Sequence, residues 1–260
     1  MGTRHAGVEV SLVTMRVPAL RPFPAAASPR QGFGDALRTL SIYLGLIGVG
    51  SIGVLRLAAW LQQGHRLGGH PQLVTGIALV LAQLVASALT LVWLRGRAGA
   101  LWSQAALPGY GFRRTTRRWV LGGEAGGLVL AIAAALLGRW LDGGQTAQAS
   151  LQGPLLATGL RWSLTGIGIV LSPWLEETVF RGALLGALAP ALGTLGAVLA
   201  STLVFTLLHA FGMHGHWWGL LPIAALGLFC AALRVRSGSL APGIIAHTSY
   251  NVLAGLGGLL

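Results

Sequence analysis

Two adjacent glutamates, Glu176 and Glu177, lie in an otherwise apolar stretch, Pro173-Trp174-Leu175-Glu176-Glu177-Thr178-Val179-Phe180-Arg181-Gly182. Side-by-side carboxylates in such surroundings are costly. Desolvation and mutual repulsion both oppose double ionisation, so the pair needs a partner or a chemical task. On a helix, Glu177 and Arg181 are four residues apart and share a face, which lets them pair. Glu176 is turned one helical step away from that pairing. It is left as a carboxylate that can accept a proton, the part of a general base.

Three more polar groups follow in other apolar runs: His209, then His247 and Asn251. Ionisable side chains inside membrane segments usually face a bundle interior, where they find one another. His247 and Asn251 are again four apart and share a face. A carboxylate, two imidazoles and an amide around one cavity supply a base together with hydrogen-bond donors for a developing oxyanion.

The elements that must position these groups follow from composition. Of 260 residues, 54% are apolar and only 9% charged, and the mean hydropathy is +0.71. A soluble chain carries roughly 25% charged residues. The fold expected is therefore all-α, a polytopic transmembrane bundle with a buried polar cavity. The net charge of +12 comes from arginines clustered between apolar runs. They are not interleaved with aromatics, so the pattern suits anionic headgroups and membrane topology and argues against nucleic acid. The single cysteine, Cys230, excludes an internal disulfide. No apolar core resembling a signal peptide precedes Arg38.

Three regions are expected: a loosely ordered basic arm at 1–37, amino-terminal membrane helices at 38–150 with a basic cytoplasmic loop at 95–118, and a core at 151–260 that holds every candidate catalytic residue. Apolar runs at about 39–60, 72–94, 119–139, 162–187, 190–210, 219–233 and 240–258 give seven spans, or eight if one divides. Pro173 is expected to kink the fourth run just before Glu176. Gly182 with Gly186, and Gly193 with Ala197 and Ser201, read as close-packing faces. Alternation from a cytoplasmic amino terminus places the arginine-rich loops inside and the carboxyl terminus outside, in a cell membrane, the bacterial inner membrane being the expected one. These boundaries put Glu176 and His247 at mid to inner depth and His209 nearer the outer face. Convergence then requires the fifth helix to start later, tilt, or run on to about Met213.

Glu176-Glu177-Thr178-Val179-Phe180-Arg181 resembles the EExxxR motif of the CAAX-protease and bacteriocin-processing (Abi) family. Phe205-Thr206-Leu207-Leu208-His209 is similar to its FxxxH motif, and His247-Thr248-Ser249-Tyr250-Asn251 to its HxxxN motif. The resemblance covers about residues 160–255. It implies an intramembrane endopeptidase of the glutamic type acting without metal or other cofactor. Glu176 would activate water, His209 would assist with that water or with proton transfer, and His247 and Asn251 would donate to the oxyanion. Glu177 and Arg181 would position the site, with a secondary catalytic part possible for Glu177.

Two histidines and a glutamate can also ligate zinc, but the HExxH arrangement is absent and Asn251 is a poor zinc ligand. His214 and His216 read as loop residues. Structural readings stand beside the catalytic ones: His209 as a packed helix-end residue, His247 as a satisfied core residue, Asn251 as interhelical glue and Arg181 as a counter-ion. A non-catalytic scaffold or immunity protein of the same fold is the alternative function. A transporter would show broken helices in both halves, and Pro173 has no counterpart in the first half. The partners expected are the lipid bilayer and a membrane-associated peptide or protein substrate.

Overall fold

The computed structural model describes residues 32–63, 71–98, 109–142, 158–210 and 217–257. The basic arm up to residue 31, residues 99–108 of the basic loop, and His214 and His216 lie outside these residues. The chain forms α1 (Phe33–Gln63), α2 (Pro71–Ala98), α3 (Arg117–Asp142) and α4 (Thr158–Glu177). A π-helical turn, Thr178–Leu184, joins α4 to α5 (Leu185–Ala210). A 3-10 turn, Trp217–Gly219, leads into α6 (Leu220–Ser237), and α7 (Ala241–Gly257) ends the fold. Among the described residues there is no β-sheet. The protein is an all-α, polytopic helical membrane protein.

Among the described residues, five stretches are long and apolar enough to cross a membrane: Phe33–Gln63, Val74–Arg97, Arg117–Leu141, Gly166–Ala210 and Trp217–Ser237. The count is not the seven or eight expected from the sequence, for two physical reasons. The expected fourth and fifth runs form one helical stretch of 45 residues, and the last helix, α7, has only 17, fewer than the ~20 of a perpendicular crossing. A straight helix of 45 residues would be about 68 Å long, against a hydrocarbon core of about 30 Å. The stretch bends at Gly193, whose φ of 68° and ψ of 171° are not helical. Gly193 is exposed, and a Cβ there would meet nothing within 4 Å. It is therefore a chain break and not the packing contact anticipated, whereas Ala197 and Ser201 on the same helix are fully buried.

The tight helix contact lies elsewhere. Gly123 and Gly127, one turn apart on α3, face α7. A Cβ on Gly123 would stand 2.4 Å from the carbonyl oxygen of Pro242, and one on Gly127 would stand 2.1 Å from that of Ala246. Both pairs advance by four residues in the same direction, so the two helices run parallel, backbone against backbone. On α6, the Phe229 ring fills the space a side chain at Gly126 would need.

Residues 109–113 strap the end of α2 to the α6–α7 turn. Tyr110 donates its hydroxyl hydrogen to the carbonyl of Leu94 at 3.0 Å, and the Leu240 N–H donates to the carbonyl of Gly111 at 2.9 Å. Arg113 Nε and Arg234 Nη1 both donate to the Gly238 carbonyl at 2.6 Å. Gly238 is the left-handed cap of α6, with φ 68° and its N–H on the carbonyl of Arg234. Arg113 and Arg234, expected from sequence to serve headgroups or to bound a span, thus also hold an internal turn. Phe112 stacks beside Trp174 at 5.0 Å, which brings the strap against α4. At the same end, Asp35 on α1 pairs with Arg97 on α2.

Candidate active site

Pro173 lacks an N–H, so its position in α4 removes one helical hydrogen bond. The Thr178 hydroxyl donates to the carbonyl of Trp174 at 2.7 Å in the next turn. The helix then widens. Leu185 N–H bonds the carbonyl of Phe180, five residues back, and every residue from Thr178 to Leu184 is buried. Wide turns of this kind recur at functional sites.

The acidic pair ends α4 just before this turn, and Arg181 lies within the turn. Arg181 is completely buried, and its Nη1 lies 3.1 Å from Glu177 Oε1. Its Nη2 donates to the carbonyl of Gly227 on α6 at 3.0 Å. The guanidinium also lies 4.3 Å from the centre of the Phe205 ring, a cation–π contact in dry surroundings. Glu176 is held differently: the Ser172 hydroxyl donates to its Oε1 at 2.6 Å.

His247, from α7, spans the two carboxylates. Its Nδ1 lies 3.2 Å from Glu177 Oε1 and its Nε2 lies 3.8 Å from Glu176 Oε2. A carboxylate engaged by an arginine only accepts, so Nδ1 carries the hydrogen of the shorter contact. Glu177 is thereby fixed from both sides, by Arg181 and by His247. Glu176 keeps an oxygen facing Nε2 across a gap too long for a direct hydrogen bond.

The structure brings Glu176, Glu177, Arg181 and His247 into one buried cluster. The other two sequence candidates sit at its margin. His209 donates from Nδ1 to the carbonyl of Phe205 at 2.8 Å, since a carbonyl only accepts, and Nε2 is left with a lone pair. Its ring rests on Phe205 at 4.6 Å, and the His247 ring meets the edge of the same phenyl at 5.8 Å. Asn251 donates from Nδ2 to the carbonyl of Gly168 at 2.9 Å and so ties α7 to α4. One hydrogen of the amide is occupied by this tie, which matches the interhelical reading of Asn251, and the second is left for another acceptor.

Sequence reasoning did not assign several residues here. Ser172 is one, although its i,i+4 relation to Glu176 is readable in the sequence. Gly243 lies so close that a Cβ would stand 3.2 Å from Glu177 Oε2. Beside it, Cys230 is fully buried and donates to the Gly243 carbonyl at 3.4 Å. Tyr43 of α1 reaches the cluster from the far end of the sequence, where no spacing rule connects it to Glu176. Among the described residues, no group of three or more His, Cys, Asp and Glu side chains is arranged to hold a metal ion.

No curated protein and no solved structure matches the chain. A protein-family comparison does: residues 158–253, the segment that carries the acidic pair, both histidines and Asn251, match the family described as type II CAAX prenyl endopeptidase Rce1-like.

Proposed function

We propose that the protein is an intramembrane endopeptidase that hydrolyses a peptide bond of a membrane-associated substrate, with Glu176 activating the attacking water. The observation that carries this reading is the asymmetric hold on two neighbouring carboxylates. His247 and Arg181 lock Glu177, while Glu176 Oε2 faces His247 Nε2 at 3.8 Å. One water can lie within hydrogen-bond reach of both atoms.

In the reaction, Glu176 takes a proton from that water and its oxygen bonds to the scissile carbonyl carbon. The tetrahedral intermediate collapses as the C–N bond breaks, and the proton passes from Glu176 to the leaving amine. In this reading the second Asn251 amide hydrogen donates to the oxyanion, His247 Nε2 joins it only when the ring carries a proton there as well as on Nδ1, and His209 supports proton movement through Nε2. Glu177 and Arg181 orient His247. No step calls for a metal.

The test uses purified protein in lipid nanodiscs and a farnesylated CAAX peptide, with its unprenylated counterpart alongside. Glu176→Ala is expected to lower kcat by about 10²–10⁴, the usual worth of a positioned general base. Cleavage at the full rate by E176A overturns the mechanism. A chelator is expected to leave both the rate and the melting temperature unchanged, and a lost rate restored by added zinc favours the metal-dependent alternative.

A further inference from the structure

Tyr43 lies in the first third of α1, well outside the matched segment. It is only 7% exposed, although α1 turns much of its length toward lipid. Its ring stands edge-on to Phe180 of the π turn, with centroids 6.3 Å apart and planes at 89°. Phe180 follows Glu176 by four residues, about one helical turn, so the buried phenol lies beside the Glu176 carboxylate.

A buried phenol needs a partner for its O–H. The carboxylate on which the proposed chemistry depends is the acceptor beside it. A glutamate side chain has three rotatable bonds and does not hold one orientation unaided. Ser172, from the same helix, fixes Oε1. Tyr43 adds a donor from a different helix, on a ring whose tilt Phe180 sets. Two hydroxyl donors on a carboxylate away from water fix its direction and replace lost hydration. Glu177, Arg181 and His247 complete the charged groups around Glu176, and Cys230 of α6 lies beyond them.

We propose that Tyr43 is a positioning residue for Glu176, so that the site is assembled from the first helix as well as from the 158–253 segment. The inference rests on the reading of Glu176 as the base. Tyr43 touches neither substrate nor reacting atom; it acts through the carboxylate.

Two measurements on the full chain test it. The first needs no substrate. The intensity ratio of the tyrosine Raman doublet reports whether a phenol donates to a strong acceptor. The protein has three tyrosines, and the Tyr110 hydroxyl is engaged by the Leu94 carbonyl, which the change at Glu176 leaves in place. Wild type is expected to show a strong-donor contribution that disappears in E176A, whose folding is checked by thermal melting. An unchanged doublet in folded E176A overturns the proposal. This comparison leaves Tyr43 itself intact, so it holds even where Tyr43→Phe fails to fold.

The second measurement is cleavage of the farnesylated peptide. Y43F is expected to lower kcat about tenfold, the order of one hydrogen bond to a charged group, with little change in KM. Packing on Phe180 alone predicts a lower melting temperature and an unaltered kcat. Wild-type kcat in Y43F, with E176A inactive, overturns the role of Tyr43 and leaves the protease reading standing. Full activity in E176A removes the protease reading instead, and the Raman comparison then decides the Tyr43 contact by itself.

Discussion

Arg181 is the counter-ion of Glu177. It is fully buried, paired with Glu177, bonded to Gly227 and laid against Phe205. Arg181→Met strips the counter-charge from a carboxylate that is itself 1% exposed. The expected cost is about 3–5 kcal/mol of stability, because an unpaired buried charge remains. Adding Glu177→Gln to the same chain should restore a large part of that loss, and denaturation of both variants in micelles measures the difference. Gly243→Ala tests the geometry more finely. The new methyl would stand 3.2 Å from Glu177 Oε2, so the carboxylate must shift by a few tenths of an ångström. Cleavage is expected to fall while the melting temperature moves little. At this scale the sequence was informative where chemistry follows from local spacing. The four-residue step from Glu177 to Arg181 and the late His247 were readable. The carbonyl of Gly168 that receives Asn251 was not, because backbone partners leave no trace in residue identity. Tyr43 was also unreadable, since a lone hydroxyl in an apolar run looks the same whether it meets lipid or a carboxylate.

At the level of elements, glycines do three different jobs that the sequence does not separate. Gly193 breaks a helix, Gly238 caps one, and Gly123 with Gly127 lets two helices touch. A repeat of small residues suggested a packing face at Gly193, but the true seam was a Gly-x-x-x-Gly pair on α3 that drew no notice. Its partners are main-chain carbonyls, invisible to pattern reading. Gly127→Ala should push α7 off α3 and destabilise the fold by about 1–3 kcal/mol, in the range of other overpacking changes. Gly122→Ala, on the same helix with nothing within 4 Å, is the control. It is expected to be neutral or slightly stabilising, because alanine favours helix. Thermal melting of the two in parallel decides. The helix count went astray for a related reason: apolar content marks where a chain enters lipid, but only backbone conformation shows where a continuous run folds back.

The molecule as a whole is sided. Trp60, Trp140 and Trp217 are 57%, 80% and 61% exposed, at the end of α1, the end of α3 and just before α6. Strict alternation of the helices puts all three on one face, the pattern of an interfacial aromatic belt. Arg95, Arg97, Arg117, Arg118 and Arg236 mark the opposite ends, which the arginine bias leads us to expect on the cytoplasmic side. Cys230 is fully buried and gives little background to a thiol reagent. Leu141→Cys is therefore expected to react with a membrane-impermeant maleimide in intact cells, and Arg236→Cys only after the membrane is opened. The reverse pattern inverts the topology. That this is a membrane bundle was plain from composition alone, because 9% charge cannot clothe a water-facing surface.

The glycine seam between α3 and α7 has a mechanical consequence. With main chains in direct touch, neither rod can slide along the other without grinding Cα against carbonyl, so His247 keeps a fixed height in the bilayer. A polypeptide entering from the lipid must part some other pair of walls. Where α2 lies against α4, Gly96, Gly166 and Gly168 make no such close approach, and it is there that a doorway would swing.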